Sequence, residues 1–151
     1  MYSDNLTIDR IIAAYRARRP LFLKGPPGYA KTDQVHQASD IIAVHPEWWK
    51  HLDDGTGWQG VVVRRLAQMV DATEFIGMPD IEGNGAGNSN SRYSVWRYPK
   101  SLPRHGCGIF FLDEFNLADQ SLQAVSRQLI DSFKISLCDY EMPRGFSIVG
   151  A

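Results

Sequence analysis

Two short stretches of this sequence hold residue types that can do phosphate chemistry. The first, Gly25-Pro26-Pro27-Gly28-Tyr29-Ala30-Lys31-Thr32, fits the pattern G-x-x-x-x-G-K-[ST], with Ala30 at the second glycine place. A tight turn of this composition aims successive backbone N–H groups at a β-phosphate. The helix that follows adds its positive N-terminal end, Lys31 a point charge and Thr32 a hydroxyl for Mg²⁺. Every group needed to hold a nucleoside triphosphate is present. The second stretch, Ile109-Phe110-Phe111-Leu112-Asp113-Glu114, ends an apolar run in two consecutive acids. Unpaired buried carboxylates are very costly, so the pair must face a cation or an open cleft, although capping of a following helix is a plainer use for it. In the first case Asp113 holds the Mg²⁺ hydration shell, and Glu114 orients and deprotonates the attacking water. Asn116, two residues further on, is a candidate either for holding that water or the γ-phosphate, or for capping the next turn.

The elements that must position these residues are legible in the apolar spacing. Ile8, Ile11, Ile12 and Tyr15 repeat at helical intervals after Thr7, the expected N-cap, and Pro20 ends the helix. Leu21-Phe22-Leu23-Lys24 then reads as a strand running into the glycine-proline loop. Val35, Ala38 and Ile42 keep helical spacing after that loop, and Pro46 closes the helix. A helical turn around Trp48 and Trp49 precedes a second strand at Gly60-Val61-Val62-Val63-Arg64-Arg65, rich in β-branched residues. Residues 83–91 contain no apolar side chain larger than alanine and read as a loop or hairpin tip. The run from Gly108 to Leu112 is too short for a helix and suits a strand buried on both faces. Asp119 is the expected N-cap of a helix carrying Leu122, Val125 and Leu129 on one face; residues 134–143 read as a small hairpin or an extended connection, and residues 145–151 as a last strand. Strands separated by helices and long crossovers predict an α/β domain with a mainly parallel sheet flanked by helices in three layers. On an open parallel sheet, a ligand sits beyond the carboxyl ends of the strands, where the glycine-proline loop and the acid pair both fall.

Composition bounds the remaining choices. At 151 residues the chain is one domain, and 44% hydrophobic with 22% charged residues excludes disorder by low hydrophobicity. A net charge of −1 gives no general field for nucleic acid or an anionic membrane. Cys107 and Cys138 lack paired spacing and read as small core hydrophobes in a reducing, cytoplasmic setting; no leader peptide or membrane-length apolar run is apparent. His36, His45, His51 and His105 have no metal-ligand spacing. Arg92, Tyr93, Trp96, Arg97, Tyr98 and Lys100 alternate bases with aromatics, which suits a client-binding hairpin or one packed on its own domain. Trp48 and Trp49 suit either a subunit contact or partial core burial.

Through LFLKGPPGYAKT, FIGMPD, GIFFLDEFNLAD, SLQAVSRQLIDS and MPRGFSIVGA the sequence resembles the AAA+ ATPases, and among them the MoxR-like or dynein-related branch, over nearly its whole length. The resemblance implies a P-loop NTPase core that binds ATP with Mg²⁺ and hydrolyses it within a homo-oligomeric ring that remodels or activates protein partners. It assigns the phosphates to the loop 25–32 with Lys31, the metal to Thr32 and Asp113, and the base to Glu114. It also implies that residues 1–151 are the N-terminal part of the module. The family's fifth strand, arginine finger and helical lid would lie after the strand at 145–151, and the strand at Leu21 would have an uncovered edge. On that reading the isolated chain binds nucleotide and hydrolyses it slowly. The alternative is a nucleotide-binding switch or assembly module with little hydrolysis. A nucleic-acid-processing ATPase is a third class, which the near-neutral charge does not favour.

Overall fold

The computed structural model describes residues 4–26, 29–82 and 93–151. In chain order the elements are α1 (Asp4–Arg16), β1 (Leu21–Phe22), α2 (Lys31–Ala43), β2 (Trp58–Arg65), α3 (Thr73–Ile76), β3 (Met78–Glu82), β4 (Tyr93–Arg97), β5 (Cys107–Asp113), α4 (Gln120–Ser132), β6 (Lys134–Ile135), β7 (Tyr140–Glu141) and β8 (Gly145–Gly150). Four strands form one parallel sheet in the order β1-β8-β5-β2, and β3-β4 and β6-β7 are antiparallel pairs beside it.

The sheet is central because β5 and β8 are apolar on both faces. Alternation sends Ile109, Phe111 and Val149 to one side, where Ile8, Ile11 and Tyr15 of α1 and Val35, Ala38 and Ile42 of α2 cover them. Phe110, Leu112, Phe146 and Ile148 go to the other side, against Leu122, Leu129 and Ile130 of α4, with Phe75 and Leu66. Each large side chain so buried contributes about 1.5–3 kcal/mol, which is what fixes the three layers. Both cysteines are buried and unpaired. Burial pushes the Cys107 thiol up to about 11, and the Asp53 and Asp54 carboxylates add to the rise.

The first helix starts at Asp4, ahead of Thr7, the expected cap. Apolar spacing begins only where the helix meets the core at Ile8; the preceding turn, with an exposed Leu6, leaves no such mark. The helix ends at Arg16, short of Pro20, and Arg18 turns the chain with φ 52°. Strand β2 begins at Trp58, two residues before the expected start, with an irregular register between Trp58 and Val61. The Asp119 cap forms as expected, its carboxylate accepting from the Ser121 N–H at 3.0 Å.

The expected tip at residues 83–91 and Arg92 lie outside the described residues. Flanking them, β3 and β4 form a hairpin whose Trp96 indole donates to the Ile76 carbonyl at 2.8 Å, while Tyr98 packs edge-on against Tyr140. Those two aromatics pack on their own domain. Gly77, at φ 84°, is required here, because a side chain would meet the Arg97 carbonyl across the hairpin. Trp48 and Trp49 are half-buried against the α1–α2 core. Among the described residues, no helix is long and apolar enough to cross a membrane.

Candidate functional site

The carboxyl ends of β1, β5 and β8 open onto a cleft of about 590 Å³. Its walls include Gly25, Tyr29, Ala30, Lys31 and Thr32 from the loop and α2, and Asp113, Glu114 and Asn116 from the end of β5. Segments more than eighty residues apart in sequence therefore meet at one sheet edge, as expected of ligand sites on parallel sheets. Pro26 is exposed and is not part of the wall, and Pro27 and Gly28 lie outside the described residues.

On the loop side, β1 hands the chain over at Phe22, and the Leu23 N–H still bonds to the Gly150 carbonyl at 2.8 Å. The Phe22 ring lies over Gly150, where a side chain would collide with it, and packs edge-on against Phe115 with centroids 5.2 Å apart. This apolar joint ties the root of the glycine-proline loop to the segment after the acid pair. Helix α2 then begins at Lys31 with no side-chain cap, so its first N–H groups and its positive dipole end face the cleft. The Lys31 ammonium donates to the Gly25 carbonyl at 3.0 Å, across the base of the loop.

Ala30 occupies the left-handed region at φ 47°, ψ 33°, which explains why the pattern favours glycine at this place. A Cβ in that region costs roughly 1–2 kcal/mol, whereas alanine loses less chain entropy on folding than glycine by about 0.4–1 kcal/mol. Ala30→Gly is therefore expected to raise stability by up to about 1.6 kcal/mol. Urea unfolding should show a higher midpoint with an unchanged slope; a lower midpoint would show that the loop conformation is not strained.

On the acid side, the Ala151 N–H bonds to the Leu112 carbonyl at 3.0 Å and the Phe115 N–H to the Ala151 carbonyl at 2.9 Å, closing the ends of β5 and β8 together. Between these bonds Glu114 turns the chain in the left-handed region, at φ 57°. Its N–H donates to Asp113 Oδ1 at 3.0 Å, and its carbonyl accepts from the Leu117 N–H at 3.1 Å. A non-glycine residue held this way stores strain of about 1–3 kcal/mol, a cost typical of functional positions. The turn leaves both carboxylates half-buried at the cleft wall.

The two sides touch where Thr32 Oγ1 donates to Asp113 Oδ2 at 3.5 Å. A hydroxyl and a carboxylate form the all-oxygen donor set that suits a small hard cation such as Mg²⁺, with phosphate and water oxygens completing its shell. Among the described residues no cluster of three or more His, Cys, Asp or Glu gathers into an all-protein metal centre. Asn116 lies exposed on the wall, inside the short turn Phe115–Leu117, and caps neither that turn nor α4.

Three further wall residues, Asp33, Leu117 and Ala151, were not singled out from the sequence. Asp33 stands in the first turn of α2, directly after the matched pattern. Leu117, 74% exposed, is apolar at the mouth of a polar cleft; only the tertiary fold reveals that position.

The architecture is similar to that of the RuvB P216G mutant of Thermotoga maritima, with a TM-score of 0.53 and 18% sequence identity. The match covers 97% of this chain and 37% of that one, so the chain spans little more than a third of the length of that structure. At this identity the likeness is one of fold: an α/β architecture of the P-loop NTPase type, with a mainly parallel sheet between helices. No family model matches the sequence, and no curated protein matches it.

Proposed function

We propose that this chain is the nucleotide-binding core of an AAA+ ATPase, binding ATP with Mg²⁺ and hydrolysing its terminal phosphate. The observation that carries the reading is the contact of Thr32 with Asp113 over the cleft, which joins the phosphate loop to the acid pair. Lys31, the loop amides and the α2 N-terminus hold the phosphates; Thr32 and Asp113 hold the metal. Mg²⁺ held by Thr32 and Asp113 would supply positive charge against the phosphate oxygens. Glu114 orients a water and takes its proton as the water oxygen bonds to the γ-phosphorus. The bond from that phosphorus to the bridging oxygen breaks, and its electron pair leaves with ADP. Asn116, which lines the same cleft, would help hold that water. Assignment to the MoxR-like branch, a ring of identical subunits and a protein client belong to this proposal. They rest on the resemblance of the sequence motifs.

Asp113→Ala tests the metal half of the reading. Binding of ATP in the presence of Mg²⁺ should weaken at least about tenfold, equivalent to 1.4 kcal/mol. With EDTA present, the affinity should hold or tighten, because a carboxylate facing the phosphates has been removed. Titration calorimetry under both conditions decides it; an equal loss in both would show that Asp113 acts through the fold and not through a metal.

A further inference from the structure

We infer that Arg65 is a catalytic cation for the site just proposed, delivered to the terminal phosphate from the same chain. The inference rests on that reading of the site. Register pairs Val61 with Ile109, Val63 with Phe111 and Arg65 with Asp113. Val61, Val63, Ile109 and Phe111 all lie in the core that α2 covers. Two-residue alternation therefore puts the Arg65 side chain on the α2 face of the sheet, beside Asp113, whose carboxylate meets Thr32 of α2 on that face. Arg64 goes to the opposite face, where its guanidinium donates to the Glu74 carbonyl at 3.2 Å. Arg65 is exposed and, among the described residues, makes no hydrogen bond or ion pair.

The charge balance of the cleft gives this position its meaning. Among the described residues, its wall carries Asp33, Asp113 and Glu114 against one cation, Lys31. Transfer of a phosphoryl group to water spreads negative charge over the equatorial and bridging oxygens, and a second positive group accelerates it strongly. Arg65 stands one strand beyond Asp113, and neighbouring strands lie about 4.8 Å apart, a gap an extended arginine spans. Its fork of N–H donors suits phosphate oxygens better than a point charge does. The chemical step is unchanged: the water oxygen bonds to phosphorus, its proton goes to Glu114, and the bridging oxygen leaves on ADP.

The test compares Mg·ADP with Mg·ADP–aluminium fluoride, a planar stand-in for the transferring phosphoryl group, on the 151-residue chain. Wild type should hold the fluoride complex more tightly than Mg·ADP. Arg65→Ala should lose at least about tenfold of that preference while binding Mg·ADP within twofold of wild type, and Arg65→Lys should recover part of it. Single-turnover phosphate release should fall about 10²- to 10³-fold in Arg65→Ala, with the ATP concentration for half-saturation unchanged. An unaltered preference in Arg65→Ala, no preference in wild type, or faster release by the variant would overturn the inference. Failure of wild type to bind Mg·ADP at all would instead remove the nucleotide site itself.

Discussion

Lys31→Ala should remove between half and nearly all of the stabilisation that ATP or ADP gives to this fold. Lys31 is half-buried at the cleft with its ammonium 3.0 Å from the Gly25 carbonyl, and among the described residues it is the one cation on the cleft wall. A charge-assisted bond to phosphate contributes roughly 1.5–3 kcal/mol, and each 1.4 kcal/mol is tenfold in affinity. The variant should therefore bind about 10- to 100-fold more weakly. Ligand at 100 times the wild-type dissociation constant stabilises wild type by about 2.7 kcal/mol. At the larger loss, the same concentration gives the variant about 0.4 kcal/mol. For a domain of this size that difference is roughly 5–10 °C of thermal shift against about 1 °C. Without ligand the two proteins should unfold within about 0.5 kcal/mol of each other, since Lys31 lies outside both core clusters. Equal thermal shifts in wild type and variant would remove Lys31 from the site.

The parts of this site legible in sequence are those fixed by local chemistry. The unbroken apolar run of β5 announces a strand covered on both faces, and its two terminal acids announce a place where burial stops. The loop pattern has glycine at the place where the backbone turns left-handed, and Ala30 takes that conformation here. Asp119 is visible as a cap because its bond to Ser121 spans only two residues. Features created by docking of distant segments were not legible. Nothing near Leu117 or Ala151 in sequence marks them as cleft walls; the bonds from Ala151 to Leu112 and Phe115 bring them there. The aromatics at Trp96 and Tyr98 left two readings open until their partners, Ile76 and Tyr140, were placed. The start of α1 lies ahead of the expected cap for the complementary reason: apolar spacing begins only at Ile8, after an exposed Leu6.

Glu114→Gln should leave nucleotide binding intact and stop the chemistry. The substitution keeps the length and shape of the side chain. It also keeps the two backbone bonds that hold the left-handed turn, from the residue 114 N–H to Asp113 Oδ1 and from the Leu117 N–H to the residue 114 carbonyl. In the proposed site the phosphates sit on the opposite wall, so affinity for Mg·ATP should change by less than about threefold, under 0.7 kcal/mol. An amide cannot accept the proton of the attacking water, and a positioned general base contributes about 10² to 10⁴ in rate. Single-turnover release of phosphate from bound ATP should fall by that factor, whatever the wild-type rate is. Alanine at the same place separates proton transfer from shape. Glu114→Ala should be as slow as the glutamine variant if the carboxylate is the base. If the side chain served only to fill the wall, alanine would be slow while glutamine kept the wild-type rate, and the water would then have to be held by Asn116, across the same turn.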